Sequence, residues 1–178
     1  MPLNVVIVGA GIAGLSAAVA LRRAGHRVWV YERSALNNEV GAAITVPPNA
    51  SRALIAWGVD PVASKFVMAQ NITIAVGATL DQIEYTPLGD WVGHVFGVPF
   101  YYAHRVDLHE AIKTLATAQD GVGQPAEINL KSSVVGYVSH PGLLCTLPWV
   151  LACHRHACMS TPRGQDPRCI DTVKFGQH

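Results

Sequence analysis

The chain opens on an uninterrupted apolar run, Val5-Val6-Ile7-Val8. Four β-branched residues with no polar break read as a strand buried on both faces of a parallel sheet. The pattern then changes period. From Ala13 to Ala24 the apolar residues, mostly Ala and Leu, recur at helical spacing, with Arg22 and Arg23 in the last turn and Gly25 suited to a C-cap. "HRVWVYE" returns to a strand pattern that ends at Glu32.

Between the first strand and the helix stand Gly9, Gly11 and Gly14, in G-x-G-x-x-G spacing. In such a unit the first glycine permits the tight turn, the second lets a pyrophosphate approach the backbone, and the third lets the helix pack closely on the sheet. The bare N–H groups of the helix start and the helix dipole then face phosphate charge. Glu32 follows Gly14 by 18 residues, at the tip of the second strand. A carboxylate there accepts hydrogen bonds from ribose hydroxyls and repels a 2′-phosphate. The fingerprint alone is a weak signal. Strand, helix, second strand and terminal acid in register make it a dinucleotide site.

Further along, Gly41 to Val46 is small and apolar, so backbone can lie close to a ligand. Pro47 and Pro48 stop that strand, and Asn49 or Ser51 is placed to cap a helix running through Trp57 to Gly58. "NITIAVGATLDQIEYTP" and "HVFGVPFYYAH" read as strands joined by the turn-rich "LGDWVGH". Asp107, with Glu110 three residues on, resembles a capping box for a helix whose apolar face holds Leu108, Ile112 and Leu115. Arg105 is expected just before that helix, where spacing alone makes it a solvated charge. His104 and His109 are expected as helix-entry residues. Trp91, Phe96, Tyr101 and Tyr102 are candidates for an aromatic pocket, although core or sheet-face positions suit strand aromatics better.

Composition narrows the partners. Of 178 residues, half are hydrophobic and 14% charged, with a formal net charge of +1. That is enough chain to bury one core, with part of a second. Near-neutral charge gives no reason to invoke nucleic acid or an anionic membrane surface, and no apolar run is long enough to cross a bilayer. The apolar N-terminus lacks the basic start of an export signal, which points to a cytoplasmic, reducing compartment.

Taken together, "VIVGAGIAGLSAAVALRRAGHRVWVYERS", "NEVGAAITVPPNASRAL" and "YAHRVDLHEAI" resemble, in order and spacing, the FAD-dependent aromatic-ring monooxygenases of the salicylate hydroxylase type. The resemblance covers residues 3 to about 138. It implies an α/β fold: a Rossmann-like FAD/NAD(P)-binding βαβ unit with the start of an antiparallel substrate-domain sheet, in truncated form. Residues 1–138 would form the FAD-binding domain, with inserted substrate-domain strands at about 68–103. Carried onto this chain, the cofactor contacts are Gly9, Gly11, Ala13, Gly14, Glu32, Arg33, Ala43 and Arg105, the last reaching the cofactor from the R-x-D-L motif. The implied chemistry is hydroxylation of a small aromatic or enolic molecule by FAD reduced with NADPH or NADH, as in secondary metabolism. It requires no catalytic side-chain nucleophile and no metal.

Members of that family are well over twice this length and carry later "DG" and "GD" motifs. Here Asp120-Gly121 precedes the strand pattern it would need, and Gly89-Asp90 comes too early. Residues 139–178 depart from the family and are expected as a divergent, poorly ordered tail holding all four cysteines. Its "CHRHACM" supplies metal-ligand types, but neither C-x₂-C nor H-x₃₋₅-H spacing. Two other readings stand beside the monooxygenase: a truncated, non-catalytic remnant binding FAD weakly or not at all, and an NAD-binding Rossmann protein of another class. "GAAITVPPNASRAL" and "HRVDL" weigh against the second.

Overall fold

The structure, a computed structural model, describes residues 1–36 and 41–136, with short strands thereafter. Two units divide the chain: Met1–Glu39 with Ile112–His178, and Val40–Ala111.

The first unit starts with β1 (Asn4–Val8), α1 (Ile12–Arg23) and β2 (Arg27–Tyr31). β1 and β2 run parallel, pairing Val6 with Trp29 and Val8 with Tyr31. Val5, Ile7, Leu15, Ala18, Val19 and Val30 are all essentially inaccessible to solvent. Each large aliphatic buried there contributes about 1.5–3 kcal/mol. The helix ends as the glycine requires. Ala24 N–H donates to Ala20 O, Gly25 N–H to Arg22 O and His26 N–H to Leu21 O, while Gly25 takes a φ of +86°.

The second unit holds β3 (Ala43–Val46), α2 (Pro48–Trp57), β4 (Val67–Met68), β5 (Asn71–Ala75), β6 (Gln82–Pro87), α3 (Gly89–Phe96) and β7 (Tyr101–His104). Its sheet is antiparallel in the order β3-β7-β4, and β5 and β6 form a separate hairpin. The helix α4 (Arg105–Thr117) begins in this unit and ends in the first. In the first unit, β8 (Glu127–Asn129) then adds parallel to β2. β9 (Val134–Gly136) follows, then β10 (Leu143–Leu147) and β11 (Val150–Cys153). β11 runs antiparallel to β1, giving the sheet order β10-β11-β1-β2-β8.

Three local expectations differ. α2 starts at Pro48 with Pro47 as N-cap, and no side chain caps it. Proline's fixed φ suits the first helical position, and Ser51 instead donates its hydroxyl to Pro99 O at 2.8 Å. Residues 89–96 form a helix rather than a turn entering a strand. Val92 is buried in a cluster with Ala69 and Leu88, against which Phe100 and Tyr102 pack, and Gly97 stops the helix at φ +75°. Lastly, α4 starts two residues before Asp107. β7 runs straight into it, and Arg105 N–H donates to Ala42 O at 3.0 Å.

Arg22 is 1% exposed, unusual for an arginine. Its Nη1 donates to the carbonyls of Leu115 and Ala116, at 2.6 and 3.1 Å. Its Nη2 donates to those of Ala118 and Gly123, both at 2.8 Å. The planar fork therefore satisfies the carbonyls left open at the end of α4 and in the loop beyond. Replacing Arg22 with Ala strands several of these acceptors and is expected to lower unfolding free energy by about 2–4 kcal/mol. Lysine restores only part, because one ammonium cannot span the set. Urea denaturation of the two variants measures both effects.

Candidate dinucleotide site

The three glycines of the first turn have different physical reasons to be there. Gly9 has a φ of +99°, a conformation costly for any residue with a Cβ. Its N–H donates to Tyr31 O at 2.7 Å, tying the turn to the end of β2. A Cβ on Gly14 would overlap the Gly9 carbonyl oxygen and lie 3.3 Å from Ile7 Cγ2. The helix can thus sit directly against the turn. Gly11 is different. Its φ of −74° and ψ of 178° are open to any residue, and a Cβ there would meet nothing within 4 Å. Neither backbone strain nor packing accounts for the missing side chain at Gly11.

Gly11 is also the N-cap of α1, so no side chain caps the helix, and the first turn holds no acidic residue. The N–H groups of Ile12, Ala13 and Gly14 have no acceptor within the helix. Ala13 is exposed beside them. The end of the helix is therefore short of negative charge at the place where the open space lies.

Glu32 stands at the tip of β2 and is joined to this turn. Its Oε2 accepts from Ala10 N–H and its Oε1 from Ser34 N–H, both at 2.8 Å. Its own N–H donates to Asn129 O at 2.9 Å, and its carbonyl accepts from Ser132 N–H at 2.8 Å. Burial works to raise its pKa. The Ser34 and Ala10 N–H donors, the Ser34 hydroxyl and the charge of Arg33 outweigh burial and hold the carboxyl below the usual glutamate value. Arg33 itself is exposed. With three donors on two oxygens, the carboxylate keeps lone-pair capacity to accept from a ligand.

Gly9, Gly11, Ala13, Gly14, Glu32 and Arg33 thus gather at one end of β1 and β2 in the first unit. Ala43 and Arg105 form a second group in the other. Ala43 opens β3 opposite His104, and Arg105 is the half-buried first residue of α4, not a residue preceding it. The His104 ring lies over Gly41, where a Cβ would collide with it. His109 is buried, at 3% exposure, inside α4. Of the pocket candidates, Tyr101 packs at a tilt against Phe66 and Tyr102 against Phe100, each at 5.9 Å between ring centres. Trp91 and Phe96 are largely exposed on α3. In the "CHRHACM" segment, His154 and His156 lie outside the described residues.

Several residues of consequence gave no sequence signal. Ala10 and Ser34 act on Glu32 through backbone N–H groups, which any residue but proline supplies. Arg22 looked like an ordinary basic residue in a last helical turn.

Comparison with known proteins follows this geometry. Residues 7–45 match the NAD(P)-binding Rossmann-like domain. The FAD-dependent monooxygenase cfoG of Aspergillus candidus is 47% identical over 135 residues, covering 76% of this chain and 31% of that protein. Hispidin-3-hydroxylase of Neonothopanus nambi is 36% identical, covering 74% of the chain and 31% of that protein. The 3-hydroxybenzoate 6-hydroxylase 1 of Aquipseudomonas alcaligenes is likewise 36% identical, covering 78% and 34%. Among solved structures, tetrameric 2-methyl-3-hydroxypyridine-5-carboxylic acid oxygenase aligns with a TM-score of 0.58 at 25% identity, covering 73% of this chain and 32% of that one. The chain spans about a third of the length of these relatives. No helix among the described residues is long and apolar enough to cross a membrane. By motif, sequence and fold, the chain is similar to the N-terminal part of FAD-dependent monooxygenases and hydroxylases.

Proposed function

We propose that this chain binds FAD through its first unit, as part of a monooxygenase that hydroxylates a small aromatic or enolic molecule in secondary metabolism with NADPH or NADH as reductant. The observation that carries the reading is Gly11. Its side-chain direction is empty, it lies at an uncapped helix N-terminus, and Glu32 is tied to the same turn. The residues present fit a dinucleotide. The N–H groups of Gly11 to Gly14 would hold the pyrophosphate, and Glu32 would accept from the adenosine ribose while still holding Ala10 and Ser34. The family resemblance adds Ala43 and Arg105 as further cofactor contacts. When bound, the flavin supplies the redox chemistry and oxygen activation that hydroxylation needs. The relatives named above, a hispidin hydroxylase and a hydroxybenzoate hydroxylase, support the aromatic substrate class.

The purified chain is expected to retain yellow FAD through gel filtration, with bleaching by NADPH or NADH under anaerobic conditions. Retention without bleaching identifies the weak-binding remnant, and no retention overturns the proposal.

Substitutions separate binding from folding. Gly11→Ala should change unfolding free energy by no more than about 1 kcal/mol, because the Cβ meets nothing. FAD affinity, read by flavin fluorescence titration, should fall at least about tenfold, since the Cβ occupies the pyrophosphate's approach. Gly14→Ala should reverse this order, destabilising the fold first, because its Cβ overlaps Gly9 O.

Glu32→Ala should weaken FAD about ten- to a hundredfold. Because the folded pKa of Glu32 is lowered, its stabilisation is fully present above the ordinary value of 4.5. It disappears as pH falls through the folded value. Urea midpoints of wild type and Glu32→Gln should therefore differ near neutral pH and converge as pH falls below the ordinary glutamate value of 4.5 and through the folded one.

A further inference from the structure

The hairpin of β5 and β6 lies wholly within the second unit, and among the described residues neither strand pairs with a third. Every residue of β5 is exposed, including Ile72 at 39% and Ile74 at 49%. These two isoleucines share one face, because side chains alternate along a strand. An isolated pair of strands is marginally stable in water, and an open edge is a template for another strand.

The two edges of the hairpin are not alike. At one end Leu88 N–H donates to Gln70 O, and at the other Val76 N–H donates to Asp81 O, each at 2.9 Å. Bonded and non-bonded positions alternate along an antiparallel ladder. Ile72 and Ile74, opposite Thr86 and Glu84, therefore direct their main-chain groups at β6. The N–H and C=O groups of Asn71, Thr73 and Ala75 face away from it. β5 holds neither charge nor proline along this row. On β6 the outward row includes Pro87, which has no N–H, and the strand carries Glu84 with Asp81 just before it. Proline and charge blunt an edge, and β5 lacks both.

We infer that β5 pairs antiparallel with β5 of a second copy of this chain, about a two-fold axis at Thr73. The strand is self-complementary in this register. Thr73 meets Thr73 of the second copy, and Asn71 meets its Ala75. The outward-facing residues then exchange both main-chain bonds at every pair, about six bonds in all. Ile72 lies opposite Ile74 of the second copy at the closer, non-bonded pairs of the ladder, so four isoleucine side chains meet on one face. The same pairing through β6 forfeits the Pro87 donor and brings two acidic residues from each copy to the junction. A two-fold contact needs only one patch, which serves both partners. One strand pair is smaller than a permanent interface, so monomer and dimer are expected to exchange. The contact uses no residue of the glycine turn and stands independently of the FAD reading.

The test is sedimentation velocity of the whole chain in dilute salt, with and without FAD, from about 1 to 100 μM protein. The mean mass should rise from one chain toward two across that range, and amide exchange at Asn71, Thr73 and Ala75 should slow as it does. Thr73→Lys and Thr73→Glu each set like charges face to face at the axis, and each should weaken association about fivefold or more. Mixing these two variants should restore it, because opposite charges then meet. Thr73→Pro removes an N–H that makes no bond within the hairpin, and should also leave monomer. Ile83→Lys, on β6, should change nothing. Circular dichroism checks that each variant keeps the fold. A chain that stays monomeric throughout the range overturns the inference. So does association that survives Thr73→Lys and Thr73→Pro, that Ile83→Lys weakens equally, or that mixing fails to restore. A monomer whose β5 amides are already protected overturns it as well, by assigning the edge to a strand of the same chain.

Discussion

The first unit depends on a carboxylate reaching across a turn. Glu32 sits at the end of β2, yet one of its oxygens accepts from Ala10, inside the glycine turn that follows β1. Gly9 N–H returns the link by donating to Tyr31 O. Two strand ends and the start of a helix are thereby held in one geometry by backbone donors and one side chain. The charge that does this is stabilised by the bonds it makes, so holding the turn and keeping the carboxylate ionised are the same event. A ligand hydroxyl reaching the remaining lone pairs meets an acceptor that is already oriented.

Around that link, each glycine answers a separate demand. Gly9 is set by backbone conformation and Gly14 by the carbonyl beneath it, and both would be needed if nothing ever bound. Gly11 answers to neither. Steric need within the fold and open space reserved for something else occur two residues apart, and only the structure tells them apart.

This first segment was legible in the sequence because its determinants are local. The β-branched run, the glycine spacing, Gly25 and Glu32 each act within a few residues of where they stand. The second unit was less legible because its determinants are not. "LGDWVGH" contains the glycines and aspartate of a turn, yet residues 89–96 become α3, with Val92 buried against the neighbouring Leu88 and against Ala69, which lies well back in the sequence. The start of α4 was misplaced because Asp107 looked like an N-cap. The strand in fact runs into the helix, and Asp107 faces Lys65 at 3.5 Å.

Arg22 has a bearing on the order of events during synthesis. The carbonyls it holds lie 93 to 101 positions downstream. The opening strand–helix–strand segment emerges from the ribosome well before them, with a guanidinium on its helix that has yet to meet its acceptors. Non-local closures of this kind slow folding, since the intervening loop must be gathered first. The helix that presents the glycine turn can therefore form early, but its far end is secured only after residue 123 has been made.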